Sequence, residues 1–256
     1  MRTMDQLRGD RVAAPGTAPA RITVRLLGCF EVRVGADAVG LPASAQRVVA
    51  YLALHRDPVS RVQVAGTLWA ESAEERAGAS LRSALWRLGL PGCALVRATP
   101  QTLALAPDAA VDLHLAICRA HRLIGWDEAD ARPGDPAEER RNWQALSGQL
   151  LPGWYDEWAI IERERFNQLR LHALEALCRS LTAQGRFGPA VEAGHAAVAA
   201  DPLRESAHRV LAQAFLAEGN RSDALHQFRL YHTLCREELG CDPSAQFAGL
   251  VGLPAT

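Results

Sequence analysis

Residues 72–88, SAEERAGASLRSALWRL, decide how this chain is read. At 100° per residue, Ala77, Leu81, Ala84, Leu85 and Leu88 share one helical face. Arg76, Ser80, Ser83 and Arg87 recur at i, i+4, i+7 and i+11 and are expected on the opposite side, with Ala79 beside them. Arginines alternating with small side chains suit a helix that must approach the floor of a DNA major groove. A guanidinium reaches a phosphate or a guanine edge, and the small residues let the backbone come close. Taken alone, the same pattern also describes an ordinary solvated helix face. The neighbouring segments decide between the two readings.

Upstream, Arg21 to Leu27 alternates like a strand, followed by EVRV, a turn at Gly35-Ala36-Asp37 and a short strand DAVGL. Ala43 to His55 reads as a helix that stops before Asp57-Pro58. Ser60 to Leu68 opens with Ser60 and Gln63 in capping-box spacing, and Ser72 and Glu75 repeat that spacing before the third helix. Only Trp69 to Glu71 separates helices two and three, the short turn of a helix-turn-helix. After Gly89 to Gly92, Leu95 to Arg97 and Thr102 to Leu105 flank a turn at Thr99-Pro100-Gln101, a hairpin in the position of a wing. Arg97 is its candidate for a minor-groove or phosphate contact, a solvated loop arginine being the plain reading. Glu74 and Glu75 suit the positive end of the helix dipole but would repel phosphate. Trp86 falls near the exposed face, with the wing or a partner open to it, and core packing is the expectation.

Beyond residue 110 the pattern turns helical. Val111 to Leu123 is amphipathic, residues 125–142 read as a polar surface loop, and Glu157 to Leu181 reads as one long helix. Ala173, Leu177, Ala183 and Gly185 recur as Ala207, Leu211, Ala217 and Gly219, and Ala190 recurs as Ala224, each at an offset of 34 residues. That is the period of the tetratricopeptide (TPR) helical hairpin, although the aromatic position of its signature is missing. Small residues at the repeated positions are expected where helices cross closely. The expected fold class is therefore mixed and mainly α. An N-terminal winged helix-turn-helix with a small β-sheet (21–108) precedes an all-α TPR-like array (111–250), and residues 1–20 read as a flexible tail.

Bulk composition narrows the function classes. Apolar residues make up 48% of the chain, enough for packed cores. Net charge is −1, but residues 1–110 hold 13 Arg against 9 Asp plus Glu, and residues 111–256 hold 15 against 20. A mildly basic first part joined to an acidic second part fits one module on DNA and another kept off it. The chain contains no lysine, so every side-chain cation apart from histidine is a guanidinium. Six scattered cysteines include no CxxC pair, and a reducing cytoplasm is the expected compartment. No P-loop, GxGxxG, HExxH or GxSxG motif occurs, so neither catalytic residues nor a cofactor is expected. His226, His232 and Cys235 cannot share one helix face, so no metal site is expected there.

Residues 41–88 (LPASAQRVVAYLALHRDPVSRVQVAGTLWAESAEERAGASLRSALWRL) resemble the winged-helix domain of SARP-type (antibiotic regulatory protein) transcriptional activators of actinomycetes. LLPGWYDEWAIIERERFNQLRLHALEAL (150–177), ADPLRESAHRVLAQAFLAEGNRSDALHQF (200–228) and ELGCDPS (238–244) resemble their bacterial transcriptional activation domain. The resemblance covers roughly residues 22–246. It implies an activator that binds promoter direct repeats near the −35 region of a biosynthetic cluster and recruits RNA polymerase holoenzyme. By position, the helix from Glu75 to Leu88 would read double-stranded DNA through Arg76, Ser80, Ser83 and Arg87. The turn Trp69, Glu71 and Ser72, with parts of the second module, would face polymerase or sigma. A homodimer or side-by-side assembly on DNA fits the repeats. Three departures predict weak DNA affinity or cooperative binding. LGLPGCALVR after the third helix is short and poor in basic residues, the wing holds one Arg, and FAGLVGLPAT lacks a charged closing helix. The competing reading is a TPR-like adaptor whose winged helix does not read DNA.

Overall fold

The computed structural model describes residues 21–89, 94–125 and 143–253. The expected tail at 1–20, the turn at 90–92 and the loop at 126–142 lie outside these residues. Strand β1 (Ile22–Arg25) pairs antiparallel with β2 (Glu31–Val34), which pairs with β3 (Asp37–Ala38). Alternation buries Ile22 and Val24 on one face of β1. Three helices follow, α1 (Ala43–Leu54), α2 (Arg61–Leu68) and α3 (Glu74–Trp86). The hairpin of β5 (Val96–Ala98) and β6 (Thr102–Leu105) comes next, as expected from its turn.

Two further strands had no sequence signal. β4 (Val59–Ser60) pairs with β6, and β7 (Ala110–Val111) runs parallel to β1. The first sheet is ordered β3-β2-β1-β7 and the second β4-β6-β5. β4 ties the hairpin to the start of α2, and β7 aims the next helix, α4 (Asp112–Leu123), back under the first sheet. The Asp112 carboxylate accepts hydrogen bonds from the backbone N–H of Leu26 (2.9 Å) and Leu27 (3.1 Å). Burial raises its pKa, with the three N–H donors from Leu26, Leu27 and Leu113 and the Arg25 charge opposing.

The second half consists of α5 (Glu157–Ala183), α6 (Phe187–Ala200), α7 (Glu205–Glu218), α8 (Arg221–Leu239) and a short α9 (Ala245–Leu250). α5–α6 and α7–α8 are the two helical hairpins announced by the 34-residue offset. Gly219 ends α7 at φ 97°, a left-handed conformation that favours glycine over any residue with a Cβ. Ala173, Leu177, Ala190, Ala207, Leu211 and Ala224 are buried where the helices cross. Ala183 and Ala217 are not. They are exposed on the last turns of α5 and α7, so the expectation of a close crossing fails at this pair. At Gly194 on α6, a Cβ would lie 2.9 Å from Leu211 Cδ1 and 3.0 Å from its Cβ, so glycine sets the α6–α7 separation.

One buried polar cluster joins the two hairpins, and a second ties α7 to α8. Buried Glu175 accepts from Arg204 Nε (2.6 Å) and Ser206 Oγ (2.6 Å). Buried His208 bonds the Pro202 carbonyl (2.9 Å) through Nε2 and Gln227 (2.6 Å) through Nδ1. A charged closing helix was not expected from the C-terminal sequence, and α9 is apolar. Its Phe247 is fully buried against Phe228 and Tyr231.

The core of the winged helix continues into the second half through Leu113, Ala116, Leu150, Leu151, Trp158, Ala159 and Phe166. Backbone bonds cross at the same place, from Gly28 N to the Gln149 carbonyl and from Leu151 N to the Leu26 carbonyl, both 2.8 Å. Leu151 is held at φ 44°, an uncommon conformation for a bulky residue. Arg163 fixes it by donating to the carbonyls of Leu150, Leu151 and Trp154.

Candidate nucleic-acid interface

One face of α3 is committed to the core, which leaves the rest of the helix surface free. Ala77, Leu81, Ala84 and Leu88 are buried against the winged-helix core, and Leu85 is half-buried. With that face as origin, 100° per residue puts Ala79 and Trp86 nearly opposite with Glu75 beside them, and all three are exposed. The Arg76, Ser80, Ser83 and Arg87 stripe therefore occupies one flank of α3 and not its outermost edge, which corrects the sequence expectation. Arg76, Ser83 and Arg87 are exposed there, and Ser80 is half-buried. Arg87 caps the helix and donates to Ser44 Oγ at 3.3 Å, so the flank faces the start of α1.

Arg82 lies on the other flank and the sequence reading missed it. Its guanidinium passes 3.5 Å from where a Cβ on Gly78 would sit. It lines a cleft of about 570 Å³ with Arg61, Val62, Gly66 and Pro100, between α2, α3 and the hairpin tip. A wheel centred on the buried alanines and leucines would have found it. Trp86, expected in the core, is 81% exposed instead. It stands nearly opposite the centre of the buried face and is not among the described residues packed on the winged-helix core.

The expected cap at Ser72 and Glu75 also fails. α3 starts at Glu74 with Ala73 as its N-cap and no side-chain cap, because Ser72 N is drawn back to the Trp69 carbonyl (2.9 Å) in the tight turn. The Ser60 cap on α2 does form, with Gln63 N donating to Ser60 Oγ at 3.1 Å.

The hairpin is fastened beside α3. Arg61 donates its backbone N–H to the Gln101 carbonyl and its Nε to the Thr99 carbonyl, both at 2.8 Å. Thr99 Oγ1 accepts from the Thr102 N–H (2.9 Å) and closes the tip. Arg97 is exposed on β5. Arg76, Arg82, Arg87 and Arg97 thus form one exposed guanidinium set on α3 and its wing, with Glu71, Glu74 and Glu75 exposed at the entry to α3.

Trp69, Glu71 and Ser72 line a second cleft of about 580 Å³ with Arg47, Asp156, Glu157, Trp158 and Ile161, and Trp69 and Ser72 line the first cleft as well. Arg47 bonds Asp156 at 2.5 Å and lies over the Trp69 ring, 5.9 Å from its centroid. Ile161 is 58% exposed at the rim. Arg47 of α1 thus links the helix-turn-helix turn to the N-cap of α5 across this cleft. Among the described residues, no helix is long and apolar enough to cross a membrane, and no group of three His, Cys, Asp or Glu is placed to hold a metal.

The architecture is a winged helix joined to an array of helical hairpins, the class expected from the sequence. A solved structure of Mycobacterium tuberculosis EmbR, in complex with a low-affinity phosphopeptide, has this fold at a TM-score of 0.71. Identity is 21%, and the match covers 93% of this chain and 67% of that one. No curated protein matches the chain in sequence. Residues 115–251 match the bacterial transcriptional activator domain. The chain belongs to that family, and it is a transcriptional regulator consistent with the SARP-type activators it resembles.

Proposed function

We propose that this protein is a sequence-specific activator that binds promoter direct repeats through residues 21–108 and recruits RNA polymerase holoenzyme through residues 111–250. The observation that carries this reading is the exposed guanidinium set on α3 and the adjoining wing, fastened to a buried scaffold. In this reading α3 enters the major groove of double-stranded DNA. Arg76, Ser83 and Arg87 meet one wall with Ser80 behind them, Arg82 meets the other, and Arg97 reaches the neighbouring backbone or minor groove. Trp69, Glu71 and Ser72 face the cleft shared with α5, where a polymerase or sigma surface would dock. The target is a secondary-metabolite biosynthetic cluster, the assignment that the SARP resemblance supports. Two copies side by side would satisfy a direct repeat, and a cytoplasmic location follows from the role.

The experiment is capture of genomic fragments on the full chain at low salt, followed by sequencing. The expected outcome is enrichment of promoter fragments carrying a repeated half-site. Uniform recovery of the genome would reject sequence-specific reading.

One observation favours the adaptor reading. Trp86 and three glutamates are exposed at a surface that would otherwise be uniformly basic. If the winged helix serves a protein partner, capture returns no fragment above background, and Trp86→Ala abolishes partner binding while Arg82→Ala does not.

A further inference from the structure

Cys235 lies on the last turns of α8 and is 2% exposed, packed in the core that Phe247 plugs. Cys241 is exposed, one residue beyond Gly240, which ends the helix at φ 68°. The bend returns the chain on itself, and the two Sγ atoms sit 3.3 Å apart. A disulfide requires about 2.05 Å, so roughly 1.2 Å of closure separates this contact from a bond. An exposed sulfur that can meet an oxidant, touching a buried sulfur that can displace it, is the arrangement an oxidisable dithiol requires.

We propose that Cys235 and Cys241 form an oxidation site that a hydroperoxide converts into an intramolecular disulfide. The Cys241 thiolate attacks one peroxide oxygen. The O–O bond breaks, the sulfur becomes a sulfenic acid, and the departing hydroxide leaves as water after taking a proton. The Cys235 sulfur then attacks the sulfenyl sulfur. Its proton leaves with the hydroxyl as a second water, and the S–S bond forms. Two thiols and one hydrogen peroxide give one disulfide and two waters, and the peroxide accepts both electrons.

Cys235 is buried and Cys241 exposed, so a peroxide meets Cys241 first and Cys235 is the resolving partner; burial raises the Cys235 thiol pKa. The bond would tie the end of α8 to the segment leading into α9, where Ser244 N already donates to Glu205 (2.8 Å) and Phe247 seals the core. Oxidation would therefore lock the closing end of the activator domain.

The test treats the reduced full chain with a slight excess of hydrogen peroxide, alkylates remaining thiols and digests with trypsin. Arg236 lies between the two cysteines, so cleavage leaves them on separate peptides, 230–236 and 237–256. The expected result is a loss of two of the six thiols, an intact mass lower by about 2 Da, and those two peptides linked until dithiothreitol separates them. In Cys241→Ser, whose substituted position is exposed and outside the core, no linked peptide forms and Cys235 stays alkylatable. In Cys235→Ser, Cys241 gains oxygen and no link forms. Retention of all six thiols, linkage to another cysteine, or oxygen added to Cys241 in the native chain while Cys235 remains alkylatable would overturn the proposal.

Discussion

Arg87→Ala isolates the electrostatic part of the proposed DNA reading. Arg87 is exposed at the C-cap of α3, and its side chain makes one bond, to Ser44 Oγ at 3.3 Å. Ala84 and Leu88, which hold the helix end, are buried on the adjoining face. Stability should change by about 0.5 kcal/mol or less, as for surface positions generally. Binding should change far more. If Arg76, Arg82, Arg87 and Arg97 each neutralise one phosphate, log affinity falls with log salt at a slope of about −3.6 per reader, taking about 0.9 per contact. Between 50 and 200 mM salt the native chain then loses about 150-fold in affinity, and the variant about 40-fold. The gap between them narrows by about 3.5-fold over that range. Fluorescence anisotropy on a labelled duplex at four or more salt concentrations measures both slopes, and a thermal melt checks the fold. A variant line superimposable on the native one would refute a phosphate role for Arg87. A flat line for both would refute the electrostatic reading as a whole.

Phe247→Ala removes a fully buried ring from a six-residue helix, where it packs on Phe228 at 5.0 Å between centroids. It should cost about 3–5 kcal/mol in urea denaturation; a loss below 1 kcal/mol would mean that α9 is not docked. Gly194→Ala should destabilise although alanine is the better helix former. The gain of about 1 kcal/mol is outweighed by the contact with Leu211, whose Cα lies 3.3 Å from the new Cβ. A raised melting temperature would show that α6 and α7 separate freely. Burial holds His208 below its ordinary value of 6.5, so the unfolded chain takes up this proton before the folded one. Its contribution is complete above pH 6.5 and is lost as pH falls towards its folded pKa. Stability should drop from pH 7 to pH 5, and by less in His208→Gln. Equal drops in both would assign the acid sensitivity elsewhere, with His114, also lowered by burial, the next candidate.

The elements legible in the sequence were those with local periodicity. α1, α2 and α3 each repeat apolar residues on one face, and the hairpin announces itself by its turn. The helical array shows through the 34-residue recurrence because alanine and leucine at a crossing, and glycine at a bend, answer to short-range sterics. β4 and β7 are two residues each. They exist only because β6 and β1 offer open edges, and two residues carry no period. At the site, the i, i+4, i+7, i+11 spacing picks out one flank of α3, and Arg82, on the other flank, falls outside it. Trp86 was misjudged because apolar character was read as burial, although large apolar side chains are also found exposed. Ser72 and Glu75 match a capping spacing, but the three-residue turn needed the Ser72 backbone first.

The junction between the two halves was the least legible feature, and it bears most on mechanism. Composition divides the chain near residue 110, where charge changes sign. The structure runs one core through that point. It pairs residues 26–28 with 149–151, stacks Tyr51 edge-on against Trp158 at 5.5 Å, and bonds Arg47 to Asp156. Such contacts join positions more than 100 residues apart and leave no local trace in sequence. Their consequence is geometric. A flexible linker would let a DNA reader and an activating surface sample many relative positions, and would supply only an effective concentration. Here one core and the Arg47–Asp156 bond join the two halves, so in the proposed reading the orientation of α3 on a duplex also sets the orientation of the helical array. For an activator of this family, that rigidity makes the phase of the binding site relative to the promoter matter. Moving the site by half a helical turn should abolish activation, and moving it by a full turn should partly restore it.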